Sequence, residues 1–166
     1  MISKTMEDAI NKQINEEMYS AYLYLSMSAY FESMSLKGFA NWMFVQYQEE
    51  VEHAMKFYDH LKDRGGKLKL YAIAEPPSQW ESPLDAFKAT LKHEQHITKC
   101  INDLVDLAEK EKDRAAYNML QWFIDEQVEE EANDEEIIAQ LEMVEGSKNG
   151  LLMIDRELSK RGTQTE

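Results

Sequence analysis

The sequence predicts an all-α protein: a four-helix bundle with one long crossover connection and a short fifth helix at the C-terminal end. Three observations carry that expectation. Residues that break helices are few, three prolines and six glycines in 166 residues, and they cluster rather than scatter. Between the clusters, apolar residues recur at alternating steps of three and four, the spacing of one helical face. Only one connection between the helical stretches is long.

Each element has its own warrant. The first helix is expected over 4–33, because Thr5 to about Phe31 contains neither glycine nor proline. A tight turn at Met34-Ser35 leads into a second helix, 36–64, which Gly65-Gly66 ends. Ser82-Pro83-Leu84-Asp85 combines an N-cap, a proline at the first helical position and a capping-box acid, so a third helix is expected over 83–111. Asp113 caps a fourth over 113–144, and a short fifth follows over 148–161. Helices joined by tight turns are antiparallel neighbours. The segment 65–82 is different: its 18 residues reach about 59 Å when extended, against about 42 Å for a helix of about 28 residues. It can therefore run the whole length of a bundle, as one long crossover does. A single domain over 1–166 is expected.

Composition excludes several roles. Hydrophobic residues at 43% and charged residues at 30% are ordinary for a globular chain, but the formal net charge of −14 is not. Nucleic acid is no partner for such a surface, because phosphates require a basic face. Its field attracts cations instead. Cys100 is the only cysteine, which excludes an internal disulfide framework and any Cys-x-x-Cys metal knuckle. No apolar run is long enough to cross a membrane, and Met1 to Asn11 lacks the basic-then-apolar pattern of a signal peptide. The expected location is the cytoplasm.

The expected buried stripes hold acids. They read Ile10, Ile14, Glu17, Ala21, Tyr24 in the first helix and Phe39, Met43, Gln46, Glu50, His53, Phe57 in the second. The third reads Phe87, Leu91, Glu94, Thr98, Ile101, and the fourth Leu120, Phe123, Gln127, Glu130, Asp134, Ile137, Leu141. Unpaired buried carboxylates lose several kcal/mol of solvation each, roughly, and four at one level repel one another. No lysine or arginine falls on the stripes near them. Glu17, Glu50, Glu94 and Glu130 bring four negative charges, which two divalent cations would cancel.

Spacing argues the same way independently. Glu17 to Glu50 and Glu94 to Gln127 are both 33 residues apart, and Glu17 to His53 and Glu94 to Glu130 are both 36. A shift of 77 maps Glu17, Glu49, Glu50, Glu52 and His53 onto Glu94, Glu126, Gln127, Glu129 and Glu130. Two helical hairpins thus present polar core residues in the same register, on both sides of a dinuclear metal site. Carboxylates with one imidazole and no thiolate suit iron or manganese better than structural zinc. Glu50, central in its cluster, is the expected bridge between two ions. Three histidines, His60, His93 and His96, fall off the stripes and are expected at the surface, and Cys100 is expected as a small buried hydrophobe.

Over essentially its full length the chain resembles the bacterial non-haem ferritins, in Glu17, Tyr24, Glu49, Glu50, His53, Glu94, Trp122, Glu126, Gln127, Glu129 and Glu130. Glu-x-x-His at Glu50–His53 is weak alone, but the whole set in register is specific. The arrangement of one acid from each of two helices and an i, i+3 pair from the other two is itself drawn from ferritin-like proteins. The resemblance implies one iron on Glu17, Glu50 and His53, and a second on Glu50, Glu94 and Glu130. It implies a third site on Glu49, Glu126, Glu129 and Glu130, with Gln127 a neutral neighbour and Tyr24 near enough to hydrogen-bond or donate an electron. Haem is not expected: the second Glu-x-x-His of bacterioferritins is replaced by Gln127-Val128-Glu129-Glu130, and Val51 stands where their haem-ligating methionine follows the bridging glutamate.

The function so implied is iron storage with ferroxidase activity: Fe(II) is oxidised by O2 or H2O2 inside each subunit, and an Fe(III) oxo-hydroxide is deposited in the cavity of a homo-oligomeric shell, a 24-mer by resemblance. Two other functions share these residues. One is a di-iron oxidase or peroxidase serving oxidative-stress defence. The other is a metal-free helical scaffold, which leaves the repeated core acids without a purpose.

Overall fold

The computed structural model describes residues 1–162. Residues 163–166 of the expected domain lie outside the described residues. Five helices follow in order: α1 Lys4–Ser33, α2 Lys37–Asp63, α3 Pro83–Glu111, α4 Arg114–Met143 and α5 Lys148–Leu158. The first four form the bundle, and α5 packs across α2 and α4 at one end. None is long and apolar enough to cross a membrane.

Local chemistry sets most of the ends. Ser3 caps α1, its hydroxyl accepting from Met6 N at 3.0 Å. Ser35 takes up left-handed backbone (φ 59°) in the turn to α2. Ser82 caps α3 by accepting from Asp85 N at 3.1 Å, with Pro83 at the first position. Lys112 (φ 56°) turns the chain, and Asp113 caps α4 through Ala116 N at 3.0 Å. Arg64 clamps both oxygens of Asp113 at 2.8 and 2.7 Å, tying the end of α2 to the start of α4.

The crossover is bound along α1 by a ladder of side chains. Glu7 accepts from Lys67 N, Asn11 bonds the backbone of Lys67 and Lys69, Asn15 donates to Ala72 O, Ser26 to Pro77 O and Tyr30 to Trp80 O. From Glu7 to Tyr30 is about 35 Å of helix, so the connection does run the length of the bundle. Its backbone polar groups, which no sheet or helix satisfies, find partners in these side chains.

Two apolar clusters fill the bundle, one at each end. The first gathers Met27, Phe31, Phe39, Met43, Phe87, Ile137 and Leu141, with Ile154 and Leu158 of α5. The second gathers Met6, Ile10, Ile14, Phe57, Leu61, Ile97, Ile101, Leu120 and Phe123. Between them lies a polar layer. The third helix departs from its expected stripe: Thr90 and Ile97 are buried beside Glu94, whereas Leu91 and Thr98 are only half-buried. The expected steps were one residue out on either side of Glu94, because α3 contacts two helices and its buried face is broader than a single seam.

The fifth helix ends at Leu158, three residues short of the expected 161, with Ser159 as its C-cap. Its Asp155 has a second role. No side chain of its own segment caps α2, but Asp155 Oδ1 accepts from Gly38 N at 2.8 Å and Phe39 N at 3.0 Å. Only glycine fits there, since a Cβ on residue 38 would come within 1.6 Å of Asp155 O. Asp155→Ala should cost about 1–2 kcal/mol, the usual worth of an N-cap, and Asp155→Asn, which keeps the accepting oxygen, should recover most of it. Thermal unfolding of the three proteins measures this; equal melting temperatures for Asp155→Ala and the parent chain would contradict it.

Candidate metal centre

The polar layer draws on four helices at one level. Helix α1 supplies Glu17 and Tyr24, α2 Gln46, Glu50 and His53, α3 Glu94, and α4 Gln127, Glu130 and Asp134, every one of them buried. Three to four residues in each helix separate these positions from large apolar neighbours, so the packing that fills the bundle also drags the acids inside.

Glu17, Glu50 and His53 converge: one ligand atom of each lies within 4.8 Å of the other two. His53 Nδ1 is 3.2 Å from Glu50 Oε2, and its Nε2 is 3.6 Å from Glu126 Oε1. Gln13 donates to Glu17 Oε1 at 2.8 Å, while Glu17 Oε2 is buried with no partner. On the far side Glu94 is held by the Tyr24 hydroxyl, which donates to Oε1, and by Gln127, which donates to Oε2 at 3.0 Å. Gln46 donates to Glu130 Oε2 at 2.8 Å. The layer is therefore in two halves, a carboxylate–imidazole trio and a pair of glutamates each steadied by an amide.

Its electrostatics follow from burial. Loss of solvent, with the charge of Glu50 behind it, pushes the Glu17 carboxyl well above its ordinary value. Glu130 is pushed well up by burial and then by Glu94 and Glu50. Burial also raises Glu50 and Glu94. At His53 burial alone would pull the imidazole down, but Glu50, Glu126 and Glu17 outweigh it and hold the imidazolium well above its usual range. The four carboxyls resist ionisation, and a cation among them would relieve each; His53 would give up its proton to take one. The orphaned Glu17 Oε2 is a buried acceptor still without a donor.

The other expected residues sit on an open acidic cleft of about 1230 Å³ between α2 and α4, whose lining includes Glu49, Glu52, His53, Glu126, Glu129 and Glu130. His53 and Glu130 thus line both the cleft and the buried layer. Glu129 is exposed and Glu126 half-buried. Glu49 is engaged at 2.5 Å by Arg161, whose guanidinium lies 4.0 Å from the centre of the Trp42 ring. Trp122 borders the cleft, 39% exposed, with its ring edge-on to His53.

Two participants escaped sequence reasoning. Arg161 lies beyond α5, where no periodicity points to the cleft. Asp134 sat on the expected stripe but was left out of the charge balance; it is 1% exposed, with one oxygen unpartnered and its carboxyl pushed well up by burial and then by Glu94. Three expectations need correction: His60, expected at the surface, is half-buried beside Arg64 at the end of α2. Cys100 is half-buried, not buried, because α3 turns it toward the α1 side. His93 is not a surface residue but half-buried, with Nε2 2.7 Å from Ser20 Oγ, since the broad buried face of α3 reaches it.

Comparison with known proteins places these features in one family. Residues 7–144 match the Ferritin-like domain model. The chain is 43% identical over 161 residues to the bacterial non-heme ferritin of Bacteroides fragilis, covering 97% of this chain and all of that one. It is 40% identical to that of Staphylococcus saprophyticus, with 97% and 96% coverage. An open pore ferritin from the hyperthermophilic archaeon Archaeoglobus fulgidus superposes with a TM-score of 0.97 at 55% identity, covering 98% of this chain and all of that one. The polar layer, the crossover and the near-complete overlap agree: the chain belongs to the ferritin-like family.

Proposed function

We propose that the protein stores iron and oxidises Fe(II) on the way, at a pair of sites within the polar layer. The observation that carries this is the Glu17–Glu50–His53 trio, a convergent ligand set in a layer that holds more buried acid than its own bases can balance. Iron is the substrate. One Fe(II) would sit on Glu17, Glu50 and His53, the other on Glu50, Glu94 and Glu130, with Glu50 shared. Each Fe(II) gives up one electron, and O2 or H2O2 accepts the pair.

The chain's own groups divide the remaining work. Gln46 orients Glu130 and Gln13 orients Glu17 by donating to one carboxylate oxygen and leaving the other for the ion, while Tyr24 and Gln127 hold Glu94 through one oxygen each. Tyr24, hydrogen-bonded to Glu94, would lie near enough to the second iron to donate an electron, as the resemblance implies. A third ion in the cleft would be held by Glu49, Glu126, Glu129 and Glu130, and Glu49 must first leave Arg161. The acidic lining of the cleft draws cations toward the layer.

Storage requires a container, and one subunit holds none. Self-assembly into a hollow shell is supported by an apolar groove on α1, α2 and the crossover, whose lining includes Met18, Met55, Tyr58, Leu70, Tyr71 and Ile73. Leu70 is 73% exposed there, a poor surface for a lone subunit. The resemblance to ferritins supplies the 24-mer.

Two measurements test the reading. Mixing anaerobic protein with Fe(II) and then air should give fast oxidation of about two irons per chain. Glu50→Ala or His53→Ala should slow that phase by about 10–100-fold or more, whereas unchanged rates would remove these residues from the site. The second test uses chelator-stripped protein. Its raised carboxyls carry no penalty below their ordinary value of 4.5, and the penalty grows as pH rises through the higher folded values. The His53 contribution is complete below 6.5 and is lost as pH rises through its raised value. Melting temperature should therefore fall between about pH 5.5 and pH 8. Glu17→Gln should flatten that slope and remove part of the stabilisation that Fe(II) gives, about 2.7 kcal/mol at a hundredfold excess over Kd. A slope of the opposite sign would refute the electrostatic account.

A further inference from the structure

On the face formed by α1 and α3, three side chains converge that the proposed iron chemistry does not use. Glu16 comes from α1; His96 and Cys100 lie one turn apart on α3. One ligand atom of each lies within 4.8 Å of the other two. His96 Nε2 is 2.9 Å from Glu16 Oε2 and 3.6 Å from Cys100 Sγ. The cluster is open to solvent, with the His96 and Glu16 side chains 50% and 36% exposed. The cleft lies between the other two long helices, so the two features occupy different faces.

The separations suit a tetrahedral ion. Bonds of about 2.0–2.1 Å to an imidazole nitrogen and about 2.3 Å to a thiolate place the two atoms about 3.6 Å apart across a tetrahedral angle, the distance found between His96 and Cys100. An oxygen and a nitrogen bound the same way are about 3.3 Å apart, so the Glu16–His96 contact must open by a few tenths of an ångström, a small rotation for an exposed carboxylate. A mixed S, N, O set selects borderline-soft ions over calcium or magnesium, which take oxygen shells.

Two plainer accounts fit less well. A simple Glu16–His96 ion pair leaves the thiol's place beside the same nitrogen unexplained. A reactive cysteine needs a thiolate, yet burial, with Glu16 and Asp103 behind it, pushes this thiol up to about 11, leaving it neutral and inert. His93 is not a fourth ligand, because its Nε2 is taken by Ser20 Oγ.

We propose that Glu16, His96 and Cys100 form a second, mononuclear transition-metal site, binding Zn2+ or Co2+ through carboxylate, imidazole and thiolate with water in the fourth position. It is independent of the carboxylate layer at the bundle centre. Binding displaces the thiol proton to solvent and changes no oxidation state.

Co2+ titration of the full-length protein under anaerobic conditions tests this. Cys100 is the only cysteine, so a sulfur-to-cobalt charge-transfer band in the near ultraviolet has one possible source. The band should saturate near one Co2+ per chain, vanish on addition of Zn2+, be absent in Cys100→Ser and require about tenfold more Co2+ or higher in His96→Ala. It should persist in Glu50→Gln, which separates this site from the proposed iron chemistry. No band at saturating Co2+, or a band that survives Cys100→Ser or disappears in Glu50→Gln, would overturn the proposal. Should Cys100→Ser fail to fold, Zn2+ protection of Cys100 from iodoacetamide decides: strong protection in the parent chain and its loss in His96→Ala supports the site, and protection unchanged by that substitution overturns it.

Discussion

The rest of the structure depends on one constraint: Glu17, Glu50, Glu94, Glu130 and Asp134 are removed from water in the middle of a helical bundle. Their layer divides the apolar core into two clusters, one toward each end of the bundle. The price of the layer is met by flanking apolar area on both sides. Amides from Gln13, Gln46 and Gln127 lower the cost without cancelling charge. They hold the carboxylates apart and aimed, which a lysine or arginine in the same places would not do.

Much of this was legible in the sequence because the constraint leaves a periodic trace. An acid on an apolar stripe is conspicuous, and the 77-residue register repeats the pattern in the second hairpin. Glu17, Glu50, His53, Glu94, Gln127 and Glu130 were all found that way, and the structure buries every one. The crossover was legible from chain length alone. What sequence could not reveal lies where period fails. Arg161 reaches Glu49 from a segment with no regular structure, so no spacing predicts it. Leu91 and Thr98 were misplaced by one residue because α3 packs on two neighbours and its buried face is wider than a stripe. Cys100, expected buried, and His93, expected exposed, are both half-buried for the same reason. Asp155 as the cap of α2 is a contact across 116–117 residues of sequence, beyond the reach of local capping rules.

The cleft and the layer are continuous in chemistry but not in burial. His53 belongs to both, with one ring nitrogen toward Glu50 and the other toward Glu126. Trp122, edge-on to that ring, and Lys56, 4.2 Å from the centre of the Trp122 ring, form the boundary on the solvent side. Arg161 brings a guanidinium to this largely acidic rim, against Glu49 and the face of Trp42. The wall of the cleft is thus not uniformly charged, and the segment after α5 contributes to it directly.

The connectivity has a consequence for biosynthesis. Glu17, Glu50 and His53 all belong to α1 and α2, a hairpin closed by a turn of three residues between Ser33 and Lys37. Synthesis runs from the N-terminus, so that hairpin emerges from the ribosome ahead of α3 and α4, and its sequence-local contacts are the kind that form fast. Three of the five proposed ligands can therefore be gathered before the helices bearing Glu94 and Glu130 have emerged. Docking of the later hairpin then completes a constellation whose first part is already in hand.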